Sequence, residues 1–163
     1  MNSVLTVADT GVGVLGELLE RYGLELVLEP RGAEITGSFW GESEAGVVGR
    51  SVFVREDTPV HSFLHETCHV VCMDERRRAG LDRDAGGDDL EEAAVCYLQV
   101  LLADYIAGAG RDRLMQDMDA WGYSFRLGNT RDWFEGDAGD AREFLLNHKL
   151  IDDSNIPTFA LRA

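Results

Sequence analysis

Basic side chains are scarce: 15 lysines and arginines face 30 aspartates and glutamates in 163 residues, a formal charge of −15. Gripping nucleic acid calls for a basic patch, so no nucleic-acid partner is expected. The single dense basic cluster, Arg76-Arg77-Arg78, is flanked by Asp74, Glu75 and Asp82. It reads as the solvated end of a helix, where cations complement the dipole. Long apolar runs are missing too, which argues against a membrane span, and MNSVLTVADTG lacks the basic start and apolar core of a secretory signal. A cytoplasmic protein is the expectation. The cysteines number three, and Cys68 and Cys72 lie four residues apart. An odd, close-set group does not make a disulfide framework, and it fits a reducing compartment. Neither an internal repeat nor a low-complexity linker breaks the chain. With 45% hydrophobic and 28% charged residues, residues 1–163 read as one globular domain with a substantial core.

What is present has a clear order. Asp9-Thr10 precedes apolar residues at Val12, Leu15, Leu19 and Tyr22, and Gly23 follows, which predicts a capped amphipathic helix weakened by internal glycines. Residues 24–29, LELVLE, alternate like a strand until Pro30-Arg31-Gly32 turns the chain. ITGSFW (35–40) and GVVGRSVFVR (46–55) are rich in β-branched and aromatic residues and predict a hairpin across the polar turn between them. From Thr58-Pro59 the pattern is helical, with Gly80 as the stop, and a second long helix is predicted from Asp89 to about Gly108. Shorter helices are predicted over 111–121 and 139–149. Helix, small antiparallel sheet, then helices is an α+β order.

The first long helix carries His65-Glu66-Thr67-Cys68-His69. Four-residue spacing on a helix places the two imidazoles one turn apart on one face, able to grip one zinc ion. Zinc makes a bound water acidic enough for hydrolysis near neutral pH, and Glu66 is placed to accept and return its proton. His61, a further turn back, suits a supporting or substrate-contacting role, or simply a surface position at the helix start. Cys72 is better read as a small buried hydrophobe than as a ligand. A metzincin would place glycine at 72 and histidine at 75, where this chain has Cys72 and Glu75. An EF-hand from Asp82 would need glutamate where Ala93 stands.

The third ligand is sought on the second long helix, at Glu91 or Glu92. At about 100° per residue, Ala94, Val95, Leu98, Leu102 and Tyr105 cluster on one side. Glu91 lies on the edge of that cluster, whereas Glu92 is turned a further ~100° toward Gln99 and solvent. A buried carboxylate must be paired or bound to metal, so the helical wheel assigns the ligand to Glu91.

His65-Glu66-x-x-His69 with an acid on the next helix resembles the gluzincin group of zinc metallopeptidases. The hairpin before the motif and the string Glu91-x-x-Ala94-x-x-Tyr97-Leu98-x-x-Leu101-Leu102 look most like the ImmA/IrrE family, over roughly residues 35 to 107. The resemblance implies a minimal zincin-like fold, with a small antiparallel sheet packed on the motif helix and the glutamate-bearing helix. It also implies His65, His69 and Glu91 as zinc ligands and Glu66 as general base.

Two functions follow as expectations. The first is a zinc-dependent peptidase acting on a peptide or protein substrate, with the strand near SVFVR offering its edge to the extended peptide. Tyr97, Tyr105, Tyr123 and His148 are candidate donors to the oxyanion. The second is a zinc-stabilised regulatory or binding domain that turns over little, its acidic surface suited to a basic partner. Glu66 favours the first, because a structural zinc site has no use for a base beside it.

Overall fold

The computed structural model describes residues 3–39, 43–125 and 128–163. Its first helix is a single turn, α1 (Val7–Thr10), followed by α2 (Val12–Arg21). Asp9 is already engaged in a capping box with Thr6, so the expected cap residues belong to α1 and α2 starts after Gly11. The buried face of α2 is Leu15, Leu18 and Leu19, on the period read from the sequence.

Three strands form one sheet: β1 (Glu25–Leu28), β2 (Gly46–Val48) and β3 (Ser51–Val54), in the order β1-β3-β2. β2 and β3 form an antiparallel hairpin, Val47 opposite Val52, but β1 pairs with β3 in parallel, Leu26 opposite Val52. The sheet is therefore mixed, not the antiparallel sheet expected. The cause lies in residues 35–39, which do not form a strand. They run beside β2, where the Val47 amide donates to the Gly37 carbonyl at 3.1 Å. A Cβ on Gly46 would stand 2.0 Å from the Thr36 carbonyl oxygen, so only glycine lets the two backbones approach. The hairpin thus turns at Gly49-Arg50, and β1 takes the other edge of β3 through a connection long enough for parallel pairing. The expected hairpin also involved Trp40, Gly41 and Glu42, which lie outside the described residues.

The helices that follow are α3 (Val60–Cys72), α4 (Glu75–Ala79), α5 (Asp89–Ala103), α6 (Arg111–Ala120), α7 (Thr130–Gly136) and α8 (Gly139–Asn147). The expected helix to Gly80 is two helices. Asp74 breaks it, its side chain accepting from the Arg77 amide at 2.8 Å to cap α4. This overturns the reading of Arg76-Arg77-Arg78 as a solvated cluster. Only Arg76 is exposed; Arg78 is fully buried, donating to the Val70 carbonyl at 2.9 Å and also to those of Met73 and Arg162. It closes the end of α3, whose last carbonyls have no partner within the helix.

α5 runs through the middle of the molecule, packed on α3, α6 and α8. Every residue from Ala94 to Ala103 is buried. Phe63, Leu64 and Val71 of α3 and Leu98, Leu101 and Leu102 of α5 belong to one continuous apolar core with Val52 and Val54 of β3. The α+β class stands. No helix among the described residues is long and apolar enough to cross a membrane. Cys68, Cys72 and Cys96 are free and buried.

Candidate metal centre

The motif helix forms because its apolar positions can be buried on several sides at once. Phe63, Leu64, Cys68, Val70, Val71 and Cys72 are fully enclosed, and the Thr67 hydroxyl is satisfied by the Phe63 carbonyl at 2.7 Å. Helical spacing then projects His65 and His69 from the same face, their ring centroids 4.8 Å apart.

The acid that meets them is Glu92. Its Oε1 lies 2.9 Å from His65 Nε2 and its Oε2 3.0 Å from His69 Nε2. Among the described residues, His65, His69 and Glu92 form a group whose donor atoms lie within 4.8 Å of one another. Tetrahedral zinc, with bonds near 2.0–2.1 Å, spaces neighbouring donors by about 3.3 Å. Two imidazoles and a carboxylate within 4.8 Å are a donor set that could hold a metal ion after a small closing movement.

Glu91, the ligand expected from the helical wheel, points elsewhere. Arg77 grips it through two parallel bonds of 2.7 and 2.8 Å, and Arg162 adds a third contact at 3.2 Å. Its burial is thus answered by two guanidinium groups, without a metal. Glu92 makes the contact with the imidazoles because the side of α5 that carries it faces α3. Gln99, two turns further along the same side, was expected near solvent but is fully buried. The wheel failed because α5 has no solvent face along most of its length. One signal was in the sequence: a lone amide inside Cys96-Tyr97-Leu98-Gln99-Val100-Leu101-Leu102 needs a buried partner.

Electrostatics tie the triad together. Burial opposes a charge on His65, but the neighbouring Cys96 and Glu92 outweigh it and hold the imidazole well above its usual value. Burial likewise opposes the Glu92 carboxylate, and the two histidines pull it far below the usual range. The described arrangement is a carboxylate spanning two imidazoles. Glu66, only 8% exposed, is pushed the other way: burial raises its carboxyl above the usual value, against the pull of His69 and His65.

Two hollows meet at this point. One, of about 300 Å³, is bounded by Phe39, Arg83, Gly86 and Gly87. The other, of about 350 Å³, is bounded by Glu44, Ser62, Trp121 and Tyr123. His65, Glu66 and Glu92 line both. Phe39 and Trp121, about half exposed, stand one in each hollow.

The remaining candidates separate cleanly. Tyr123 lines the cleft, its ring edge-on to His65 and its hydroxyl 3.1 Å from His61 Nδ1. Tyr97 instead accepts from Asn155, Tyr105 packs with Phe159, and His148 packs on Phe144. His61 is buried rather than at the surface, and its burial, reinforced by nearby His65, pushes its pKa down to about 3. Cys72 is wholly enclosed, its thiol driven up by burial, as expected of a small hydrophobe. Neither edge of β3 is open: β1 and β2 occupy both, so this strand cannot receive a peptide as expected.

Comparison with protein-family models, with curated proteins and with solved structures found no match.

Proposed function

We propose that this chain is a zinc-dependent metallopeptidase in which His65, His69 and Glu92 hold the ion and Glu66 is the general base. The observation that carries this reading is the convergence of two imidazole Nε2 atoms on one carboxylate, beside a buried glutamate, in an open cleft. A divalent cation held there would replace the direct contacts between the Glu92 carboxylate and the two imidazoles. When bound, zinc supplies a Lewis acid that polarises a peptide carbonyl and acidifies a water.

The chain's own groups do the rest. Burial makes the Glu66 carboxylate more basic than a surface acid, which suits a group that must accept a proton and deliver it to the leaving amine. Tyr123 is the one of the four expected donors that lines the cleft, so the role of donor to the developing oxyanion falls to its hydroxyl. Glu44, Glu66 and Glu92 give the second hollow an acidic lining, which favours a neutral or basic stretch of peptide. Three protein ligands and a cleft fit catalysis better than structure, since structural zinc sites close with four.

Two measurements test this. Protein purified without a metal-affinity tag should carry one zinc per chain, stripped by chelators and lost in His65→Ala and His69→Ala. Stoichiometric zinc surviving in the double histidine variant would overturn the site. Glu66→Gln should keep the fold and the metal but lose hydrolysis of a peptide substrate by at least ~10²-fold. An unimpaired Glu66→Gln enzyme would remove the mechanism while leaving the metal site standing.

A further inference from the structure

Gln99 sits in the middle of α5 with no exposure to solvent. Its Oε1 lies 3.1 Å from His65 Nδ1, and its Nε2 donates to the His61 carbonyl at 2.7 Å. A weaker contact of 3.4 Å joins Nε2 to the Tyr123 hydroxyl.

The His61 carbonyl can only accept, so the atom 2.7 Å from it must be the amide nitrogen. The reverse orientation would press two acceptor oxygens together in a buried space. The side-chain oxygen is thereby committed to His65, and it too can only accept. His65 Nδ1 must therefore carry the hydrogen. In the neutral ring that leaves the lone pair on Nε2, the atom facing Glu92 and His69. A backbone carbonyl of the motif helix, one turn before the ligand, thus sets the amide, and the amide sets the ligand's tautomer. His69 has no such device: its Nδ1 is buried without a hydrogen-bond partner among the described residues.

We infer that Gln99 is a positioning residue for the metal centre, reading the His61 carbonyl on one side and holding His65 in the Nδ1–H, Nε2-ligating tautomer on the other. This rests on the metal site proposed above. It gives the centre a buried outer partner two helical turns from the ligand Glu92 on the same helix, so α5 supplies both a ligand and the group that orients another. Outer partners of ligating histidines fix the ring and raise its basicity, and their loss typically weakens binding by ~10–100-fold.

Zinc affinity measured by competition with a chromophoric chelator gives the test, on the wild type, Gln99→Leu and Gln99→Glu. Gln99→Leu keeps the volume but cannot accept from Nδ1–H, and its affinity should fall by about 10–100-fold. Gln99→Glu retains an acceptor for Nδ1–H and should bind zinc more tightly than Gln99→Leu, although it buries a charge and sets a second acceptor against the His61 carbonyl. A merely structural role predicts the opposite ranking, with the glutamate variant the more damaged. Equal weakening of both variants, or none in Gln99→Leu, would overturn the inference. A second measurement does not depend on any variant folding: long-range proton–nitrogen correlation spectra of zinc-loaded wild type should show His65 protonated at Nδ1. The Nε2–H tautomer would overturn the assignment of Gln99 while leaving the metal site intact. A wild type that binds no zinc would remove the site itself, and this inference with it.

Discussion

At the scale of single residues, two adjacent glutamates divide the labour of one helix turn. Glu91 is 5% exposed in its side chain and anchors α5 to α4 through Arg77 and to residue Arg162. Glu92 is half exposed and turns to the imidazoles. Gly87 makes room for this: a Cβ there would fall 2.2 Å from Glu91 Oε2, and its φ of +100° suits glycine alone. Glu92→Ala should therefore lower zinc affinity by more than the ~10–100-fold typical of an outer partner. Glu91→Gln should change affinity little and instead cost stability, by less than the ~3–5 kcal/mol of a wholly buried pair because Arg77 is one-third exposed. Matched metal titrations and denaturant melts of the two variants separate these outcomes. A greater loss of zinc in the Glu91 variant would reverse the ligand assignment. The histidine pair and Glu66 were legible in the sequence because helical spacing is local. The choice between Glu91 and Glu92 was not, because it depends on Arg77 and Arg162, which reach Glu91 from 14 and 71 residues away.

At the scale of elements, the same contrast recurs. The existence of α2, α3, α5, α6 and α8 could be read from the sequence, as could that of β1. The pairing of β1 could not, since alternation within a strand says nothing about which neighbour it meets. The break between α3 and α4 was written in Asp74, whose capping role competes with the continuous helical pattern around it. α7 lies between the two shorter helices expected at 111–121 and 139–149, capped by Asn129 accepting from the Asp132 amide at 2.8 Å. Two glycines make this scale testable. Gly13 lies exposed on helix α2 with nothing within 4 Å of a new Cβ, so Gly13→Ala should stabilise by about 1 kcal/mol. Gly46→Ala drives a methyl into the Thr36 carbonyl and should destabilise by about 1–3 kcal/mol, as over-packing does. A Gly46→Ala variant that melts at or above the wild-type temperature would contradict the packing of residues 35–38 along β2, and a Gly13→Ala variant that melts lower would contradict the open surroundings of Gly13.

At the scale of the whole molecule, the cleft is the place where segments remote in sequence come together: residue 39 beside the sheet, α3, the loop at 83–87, the start of α5, and residues 121–123 after α6. Closing that assembly buries His61 beneath Trp121 and Tyr123, ring centroids 4.9 and 5.4 Å away. Burial, and then the neighbouring His65, press its folded-state pKa down to about 3, whereas in the unfolded chain it titrates near 6.5. Between those values the unfolded state binds the extra proton. The His61 contribution to stability is thus intact above about 6.5 and is lost progressively as the pH falls toward 3. The paired His65 acts in the opposite sense, its raised pKa favouring the folded state at low pH and fading as the pH rises. A difference measurement isolates His61: denaturant midpoints of metal-free wild type and His61→Phe, followed from pH 7.5 to 5. Wild type should lose stability more steeply than the variant over this range, because phenylalanine fills the aromatic site without a proton to refuse. Parallel curves would mean that His61 takes up its proton in the folded cleft, and that the packing of Trp121 and Tyr123 over it is looser than described.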